Sequence, residues 1–287
     1  MLANLKFILE WLRLSRIEHA FLSAIGVFLG MLAFSPFFNL QDIFVFLTPI
    51  FINAGSFILN DYFDIETDKE NKKFNRPLVK GTINKKHAFF VSFLLLFIGV
   101  LIGFMVNFLI GLISLIFSFL AVLYNFKLKE LPLVGNIVIA LSMAIAFPFG
   151  YIAKSNSFSL NSLVLILFLG AFVVGFAREI IKSIQDIKGD KLARKARTLP
   201  VVLGEKTSAL IAGFLFLFFC FFLASLFFID QILKWNYFSL ALLVISFAVF
   251  LVLAFKSFRL EDLELIRSQS LVGLAIVLFS LLLALIR

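Results

Sequence analysis

Apolar residues run along this chain in nine long blocks, near 16–34, 43–60, 87–107, 109–125, 134–153, 160–182, 206–229, 236–256 and 268–286. A membrane-spanning helix needs about 20 consecutive, mostly apolar residues, so each block predicts one span. The faintest division lies between the third and fourth, where "MVNFLIG" offers only Asn107 and Gly111 as a turn. Ahead of the first block, Leu5, Ile8, Leu9 and Leu12 fall on one helical stripe while Lys6, Glu10 and Arg13 lie elsewhere. That pattern predicts a short helix lying in the membrane interface. The first block is long and has no small-residue cleavage site, so it reads as an uncleaved span rather than a signal peptide.

Composition agrees with this pattern. Of the 287 residues, 62% are hydrophobic, 41 are Phe and only 15% are charged, with a mean hydropathy of +1.08. Soluble domains do not have this composition. Lys and Arg collect on the cytoplasmic side of membrane proteins, which tests the division into spans. With the N-terminus inside, the cytoplasmic segments hold Lys6, Arg13 and Arg16, then seven cations from Lys69 to Lys86. They also hold Lys127 and Lys129, eight cations from Arg178 to Lys206, and Lys256, Arg259 and Arg267. That is 23 of the 26, leaving Lys154, Lys234 and Arg287. The expected topology is therefore nine spans in the cell membrane, N-terminus cytoplasmic and C-terminus outside. The net charge of +9 is explained as a cytoplasmic belt facing anionic headgroups, with no call for a nucleic-acid partner. Cys220 is the sole cysteine, which excludes an intrachain disulfide. His19 and His87 are too few and too far apart to make a zinc site by themselves.

The pattern predicts a single membrane domain over residues 1–287, with two long connections, 61–86 and about 183–205, both cytoplasmic. A faint repeat links them. Asp64 and Asp68 precede "RPLVKG"; Asp186 and Asp190 precede "RTLPVVLG". Asp64 to Asp186 and Asp68 to Asp190 are both 122 residues, and Arg76 to Arg197 is 121. Spans two and six are therefore expected to occupy equivalent places.

If the helix of span two continues past Asn60, then at about 100° per residue Asn60, Asp64, Asp68 and Asp61 fall at about 0°, 40°, 80° and 100°, with Glu66 turned away. In the second segment Glu179, Lys182, Asp186 and Asp190 make a similar stripe, although Gly189 is a candidate helix end. Carboxylates at membrane depth cost about 2.5–3.5 kcal/mol each on insertion scales, so cations must offset them. Flanking Lys and Arg are one such source. A transported ion is a second, but carrier sites lie near the bilayer midplane, whereas these acids stand at span ends. The third is Mg²⁺, which takes oxygen ligands from one or two carboxylates, phosphate oxygens and water. Two facing clusters suit two Mg²⁺ ions bridged by a diphosphate, with Lys and Arg balancing the remaining charge. Stabilising a departing diphosphate is the chemistry of allylic C–O ionisation.

At these residues the chain resembles the UbiA superfamily of intramembrane prenyltransferases. Asn60, Asp61, Asp64 and Asp68 match its NDxxDxxxD motif, and Asp186 with Asp190 its second, DxxxD, motif. The resemblance covers essentially the whole chain and implies an all-α integral membrane bundle of about nine helices around a central cavity with a cytoplasmic cap. It implies Asn60, Asp64 and Asp68 at one Mg²⁺ site and Asp186 and Asp190 at the other, with the four aspartates catalytic and Asp61 supporting. Candidate diphosphate contacts are Arg76, Lys182, Tyr124 and one of Lys127 and Lys129, between which spacing does not choose.

"DIETD" lacks the Arg of quinone-type members, and "REIIKSIQDIKGDKLARKARTLPVVLG" is most similar to the branch making archaeal ether lipids. The resemblance thus implies Mg²⁺-dependent transfer of a geranylgeranyl group from its diphosphate to the hydroxyl of geranylgeranylglyceryl phosphate. That acceptor needs a further cationic anchor, for which Arg13 and Arg16 are candidates. Prenylation of an aromatic quinone precursor and a carrier function remain the alternatives. Prenyl length is not legible, and oligomeric state stays open: Gly26 and Gly30 serve packing within one bundle as well as between chains.

Overall fold

Asn107, the residue at the faintest division, separates two long helices by itself. Its backbone is extended and its side chain accepts the Ile110 N–H at 2.9 Å, so one residue both ends one span and caps the next. The computed structural model describes residues 2–192, 196–229 and 233–286, with side chains from Leu5. Arg194, Lys195 and Arg287 of the charge pattern lie outside the described residues.

In chain order the helices are α1 (Leu2–Leu14), α2 (Ile17–Phe34), α3 (Asp42–Phe63), α4 (Ile65–Glu70), α5 (Pro77–Lys80), α6 (Lys85–Val106), α7 (Phe108–Phe126) and α8 (Val134–Ala144). There follow α9 (Ala146–Ser155), α10 (Ser162–Gln185), α11 (Ile187–Leu192), α12 (Leu199–Leu203), α13 (Glu205–Ser225), α14 (Tyr237–Phe258) and α15 (Leu263–Leu285). Among the described residues seven helices are long and apolar enough to cross a membrane. The pairs α1–α2 and α8–α9, bent by 55° and 43°, raise the number to nine if each pair crosses once. The protein is thus an all-α, multi-pass membrane protein. Its lipid side is legible on α6, where Phe90, Phe97 and Met105 are more than 60% exposed.

Two expectations shift. The fifth block is broken at Ile145 rather than continuous. The last span begins at Leu263, because Asp262 caps it by accepting the Leu265 N–H at 3.0 Å; Arg267 therefore stands within a helix, not in a loop.

The chain forms two compact units. The first contains α1, the start of α2, α3 to α7 and most of α11, with α3 packed against α6 and α7. The second contains the rest of α2, α8 to α10 and α12 to α15. There α10 is the hub, packed on α8, α13 and α15, and edge-on rings of Phe219 and Phe250, 4.7 Å apart, fill the space between α13 and α14. Within this unit Gly30 and Gly150 let α2 and α9 touch. A Cβ on Gly150 would stand 1.9 Å from the Val27 carbonyl oxygen, and one on Gly30 2.0 Å from that of Phe147. A Cβ on Gly26 would likewise stand 3.0 Å from Ala146 Cβ, so Gly26 and Gly30 both pack against α9, where close van der Waals packing binds membrane helices.

Candidate active site

The helix of the first acidic motif does not run straight through it. α3 stops at Phe63, and Asp64 (φ −93°, ψ 1°) breaks the helix before α4. The ladder nevertheless survives: Asp64 N–H donates to Asn60 O at 3.0 Å and Asp68 N–H to Asp64 O at 2.7 Å. Asn60, Asp64 and Asp68 therefore keep one-turn spacing across a bend.

The second motif is built alike. α10 stops at Gln185, Asp186 (φ −93°, ψ 5°) forms the break, and α11 follows with six residues, as α4 does. Gly189 lies inside α11 and does not end it. Every boundary here is displaced by 122 residues, which supports the internal repeat at the level of local backbone. The extended residue before the next short helix is Arg76 in one copy and Thr198 in the other, so Thr198, not Arg197, is the counterpart of Arg76.

Cations already stand on the first motif. Lys129 Nζ, on a side chain only 6% exposed, lies 2.5 Å from Asp64 Oδ1. Asp61 Oδ1 accepts from Arg16 Nη2 at 2.6 Å and from Arg76 Nη1 at 2.5 Å. Arg76 Nη1 is also 3.1 Å from Asp68 Oδ2, and Lys73 Nζ is 3.7 Å from Asp68 Oδ1. Asp61 and Asp68 are buried, so these pairs are needed to hold charge out of water. Asp61 is thus a strut that fixes Arg76 beside Asp68. Arg16 has a left-handed backbone (φ 47°) at the junction of α1 and α2, and its guanidinium also covers the Phe57 ring at 4.9 Å. Arg16, like Arg76, is thus paired with Asp61; Arg13 is exposed.

Asn60 Nδ2 donates to Asn125 Oδ1 at 2.9 Å, and Asn125 Nδ2 to the Ala121 carbonyl at 2.9 Å. This chain aligns the Asn60 amide so that its own oxygen is turned away from Asn125. Tyr124 is half-buried beside Asn125, while Lys127 is exposed. The structure therefore separates the two lysines that spacing left equal. Glu66 is exposed and paired with Lys69 at 2.9 Å, whose ammonium holds its carboxyl below the usual carboxylate range.

In the first unit Asp190 is buried, and α11 is fastened by the Gly189 N–H, which donates to Asn71 Oδ1 at 3.0 Å. A Cβ at Gly189 would stand 2.4 Å from Asn71 Nδ2, so glycine is what permits the contact. In the second unit Asp186 is half-buried, and Lys182, one turn earlier, is 3.2 Å from Glu179. Asn71 and Asn125 were not picked out by the motifs. The signal for Asn125 was an amide at the end of an apolar span.

The donors at Asn60, Asp64 and Asp68 are all oxygens. Among the described residues no group of three or more His, Cys, Asp or Glu side chains is placed to hold a metal. Such donors suit a Mg²⁺ that arrives with phosphate oxygens and water completing its octahedron, rather than one caged by side chains alone.

The described residues thus make an all-helical membrane protein with two acidic breaks of the same local build, the first lined by Lys and Arg. The chain belongs to the UbiA prenyltransferase family, whose model matches residues 20–284. It is similar to the digeranylgeranylglyceryl phosphate synthase of Archaeoglobus fulgidus, 37% identical over 206 residues that cover 71% of this chain and 69% of the relative. A solved structure concerned with digeranylgeranylglyceryl phosphate synthase in membranes matches 98% of this chain and 99% of its own, with a TM-score of 0.72 and 28% identity. A UbiA homologue from Archaeoglobus fulgidus bound to GPP and Mg²⁺ shares the fold, with a TM-score of 0.69 over 96% of this chain and 99% of that one, at 18% identity.

Proposed function

We propose that this prenyltransferase moves a geranylgeranyl group from geranylgeranyl diphosphate to the hydroxyl of geranylgeranylglyceryl phosphate, releasing diphosphate. The observation that carries the reading is the repeated break at Asp64 and Asp186, each starting a short helix that bears a second aspartate, at Asp68 and Asp190. The acceptor is supported by the similarity to the Archaeoglobus fulgidus synthase.

Asn60, Asp64 and Asp68 would hold one Mg²⁺ and Asp186 and Asp190 another. When bound, Mg²⁺ neutralises the diphosphate and stabilises it as it departs. The chain's own residues do the rest. Asn125 orients Asn60, and Asp61 holds Arg76 where a phosphate oxygen can replace one of its carboxylate contacts. Lys129, buried on Asp64, supplies a second charge-assisted donor, and Lys182 lies one turn before Asp186. The C–O bond between the prenyl carbon and the diphosphate breaks, the acceptor oxygen bonds to that carbon, and the acceptor proton leaves. Neither motif contains a His, so a carboxylate, the diphosphate or water takes that proton. The distribution of Lys and Arg supports a cytoplasmic site.

The test is an assay of purified protein with geranylgeranyl diphosphate and Mg²⁺, offering geranylgeranylglyceryl phosphate and 4-hydroxybenzoate in parallel. A diether phosphate product is expected, lost in Asp64→Ala and on chelation. Prenylated benzoate alone would move the protein to the aromatic branch, and no turnover of allylic diphosphate would reopen a carrier function.

A further inference from the structure

One arginine lies deeper than either acidic motif requires. Arg178 stands on α10 seven residues before its end, about 10 Å along the axis. Its Nε donates to Ser270 Oγ on α15 at 2.9 Å. Ser270 Oγ in turn donates to the Arg267 carbonyl at 2.8 Å, and Arg267 Nη1 donates back to Gln185 Oε1 on α10 at 3.2 Å. Two arginines thus cross the α10–α15 seam in opposite directions, joined through one buried serine. Among the described residues the one hydrogen bond Arg178 makes is through Nε, and the adjacent Glu179 carboxylate, whose charge also reaches Arg178, pairs with Lys182. Counted with the cytoplasmic cations by its sequence position, Arg178 stands instead inside the long apolar helix α10, where a cation is expensive and marks a ligand or a partner. An arginine moored by Nε keeps the two-nitrogen edge that grips a phosphate.

The same seam continues as an apolar cleft. Ala171 and Leu167 fall within about 20° of Arg178 on α10, and Leu274 and Leu281 within about 40° of Ser270 on α15, at 100° per residue. All four line the cleft, with Gly170 and Leu278. A two-arginine end and an apolar trough in line, both within the second unit, suit an amphipathic ligand carrying a phosphomonoester and an isoprenoid tail.

We propose that the α10–α15 seam seats the acceptor lipid, its phosphate on Arg178 and Arg267 and the first part of its tail in the cleft between Leu167 and Leu274. This rests on the acceptor assigned above, and it replaces Arg13 and Arg16 as the anchor of that phosphate. Arg178 stands eight residues before Asp186, the break that ends α10, about 12 Å at helical rise, and the acceptor's hydroxyl and phosphate share one glycerol.

The experiment uses the full chain in phosphatidylcholine nanodiscs, with geranylgeranyl diphosphate as donor. Acceptors are geranylgeranylglyceryl phosphate, its dephosphorylated form, and a glyceryl phosphate bearing one isoprene unit. Arg178→Gln is expected to raise KM for the phosphorylated acceptor at least tenfold, leave donor KM within twofold, and abolish the preference for phosphate. Ser270→Ala is expected to shift acceptor KM in the same direction by about threefold. Ala171→Trp, in the cleft, is expected to impair the long-tailed acceptor and spare the short one. An unchanged acceptor KM in Arg178→Gln, or equal losses for donor and acceptor, would overturn the proposal while wild-type turnover leaves the function standing. An effect seen only when phosphatidylglycerol is added would assign the arginines to bulk lipid and also overturn it. Wild-type protein that prenylates only the aromatic acceptor would remove the functional reading and this inference together.

Discussion

Lys129 and Asp64, 65 residues apart in the chain, meet at 2.5 Å with the lysine side chain almost out of solvent. The lysine that follows α7 thus neutralises the carboxylate at the break after α3. Removing one member of such a pair leaves an uncompensated buried charge, which costs roughly 3–5 kcal/mol in closed sites. Lys129→Met is therefore expected to lower the thermal stability of metal-free protein. Mg²⁺ with a diphosphate analogue should restore more stability to this variant than to wild type, since it supplies the missing charge. Lys127→Met, at an exposed position, should shift stability by no more than about 0.5 kcal/mol. Equal shifts in the two lysine variants, measured in detergent, would count against the pairing.

Asp61 is expected to matter through Arg76 rather than by touching the reaction. Its Oδ1 accepts from two guanidinium groups, so Asp61→Asn leaves two cations facing a neutral amide. Stability should fall by roughly 3 kcal/mol and turnover by tenfold or more as Arg76 shifts on Asp68. A double-mutant cycle between Arg16 and Asp61 should give a coupling of about 1–3 kcal/mol. Arg16 also has a left-handed backbone, which costs a side-chain-bearing residue roughly 1–2 kcal/mol. Arg16→Gly should consequently be more stable than Arg16→Gln, and the reverse order would argue against strain at this junction.

Much of this was legible in the sequence, because hydropathy and helical period report on neighbours along one helix. The positions of α3, α6, α7 and α10 follow the apolar blocks, and the 122-residue spacing of Asp64 and Asp186 anticipated their matching backbone. The break at Asp64 was not legible, since the hydrogen bonds that bridge it keep the same one-turn spacing a straight helix has. Nor was the choice of Lys129 over Lys127, or the roles of Asn125 and Arg178. Those depend on which side chain meets a residue on another helix, and spacing along the chain does not encode that. The apolar block alone starts the last span at 268, whereas Glu261 and Asp262 ahead of an apolar run are the pattern of a helix start, and α15 begins at Leu263.

Asn125 is expected to act through Asn60. It is buried and accepts the Asn60 amide hydrogen while donating to Ala121. Asn125→Ala frees the Asn60 amide to rotate, and groups that orient metal ligands are worth about 10–100-fold in metal affinity or activity. The Mg²⁺ concentration for half-maximal rate should rise by about that factor, with acceptor KM little changed. Asn125→Asp keeps the acceptor oxygen and should recover part of the loss. A variant with wild-type Mg²⁺ dependence would show that Asn60 needs no such alignment.

Gly189 and Asn71 offer a test of how Asp190 is positioned. The Gly189 N–H donates to Asn71 Oδ1, and a methyl group at 189 would overlap the Asn71 amide. Gly189→Ala must push that amide aside and break the bond, leaving α11 less firmly held. Because α11 carries Asp190, the expected result is a loss of turnover of tenfold or more, with a stability cost of about 1 kcal/mol. In an Asn71→Ala background the obstacle is already gone, so adding Gly189→Ala should cost little more. The two changes should therefore be strongly non-additive, as expected for residues in contact. Additive losses of turnover across the four proteins would mean that Gly189 and Asn71 act separately, and that the register of Asp190 is set elsewhere on α11.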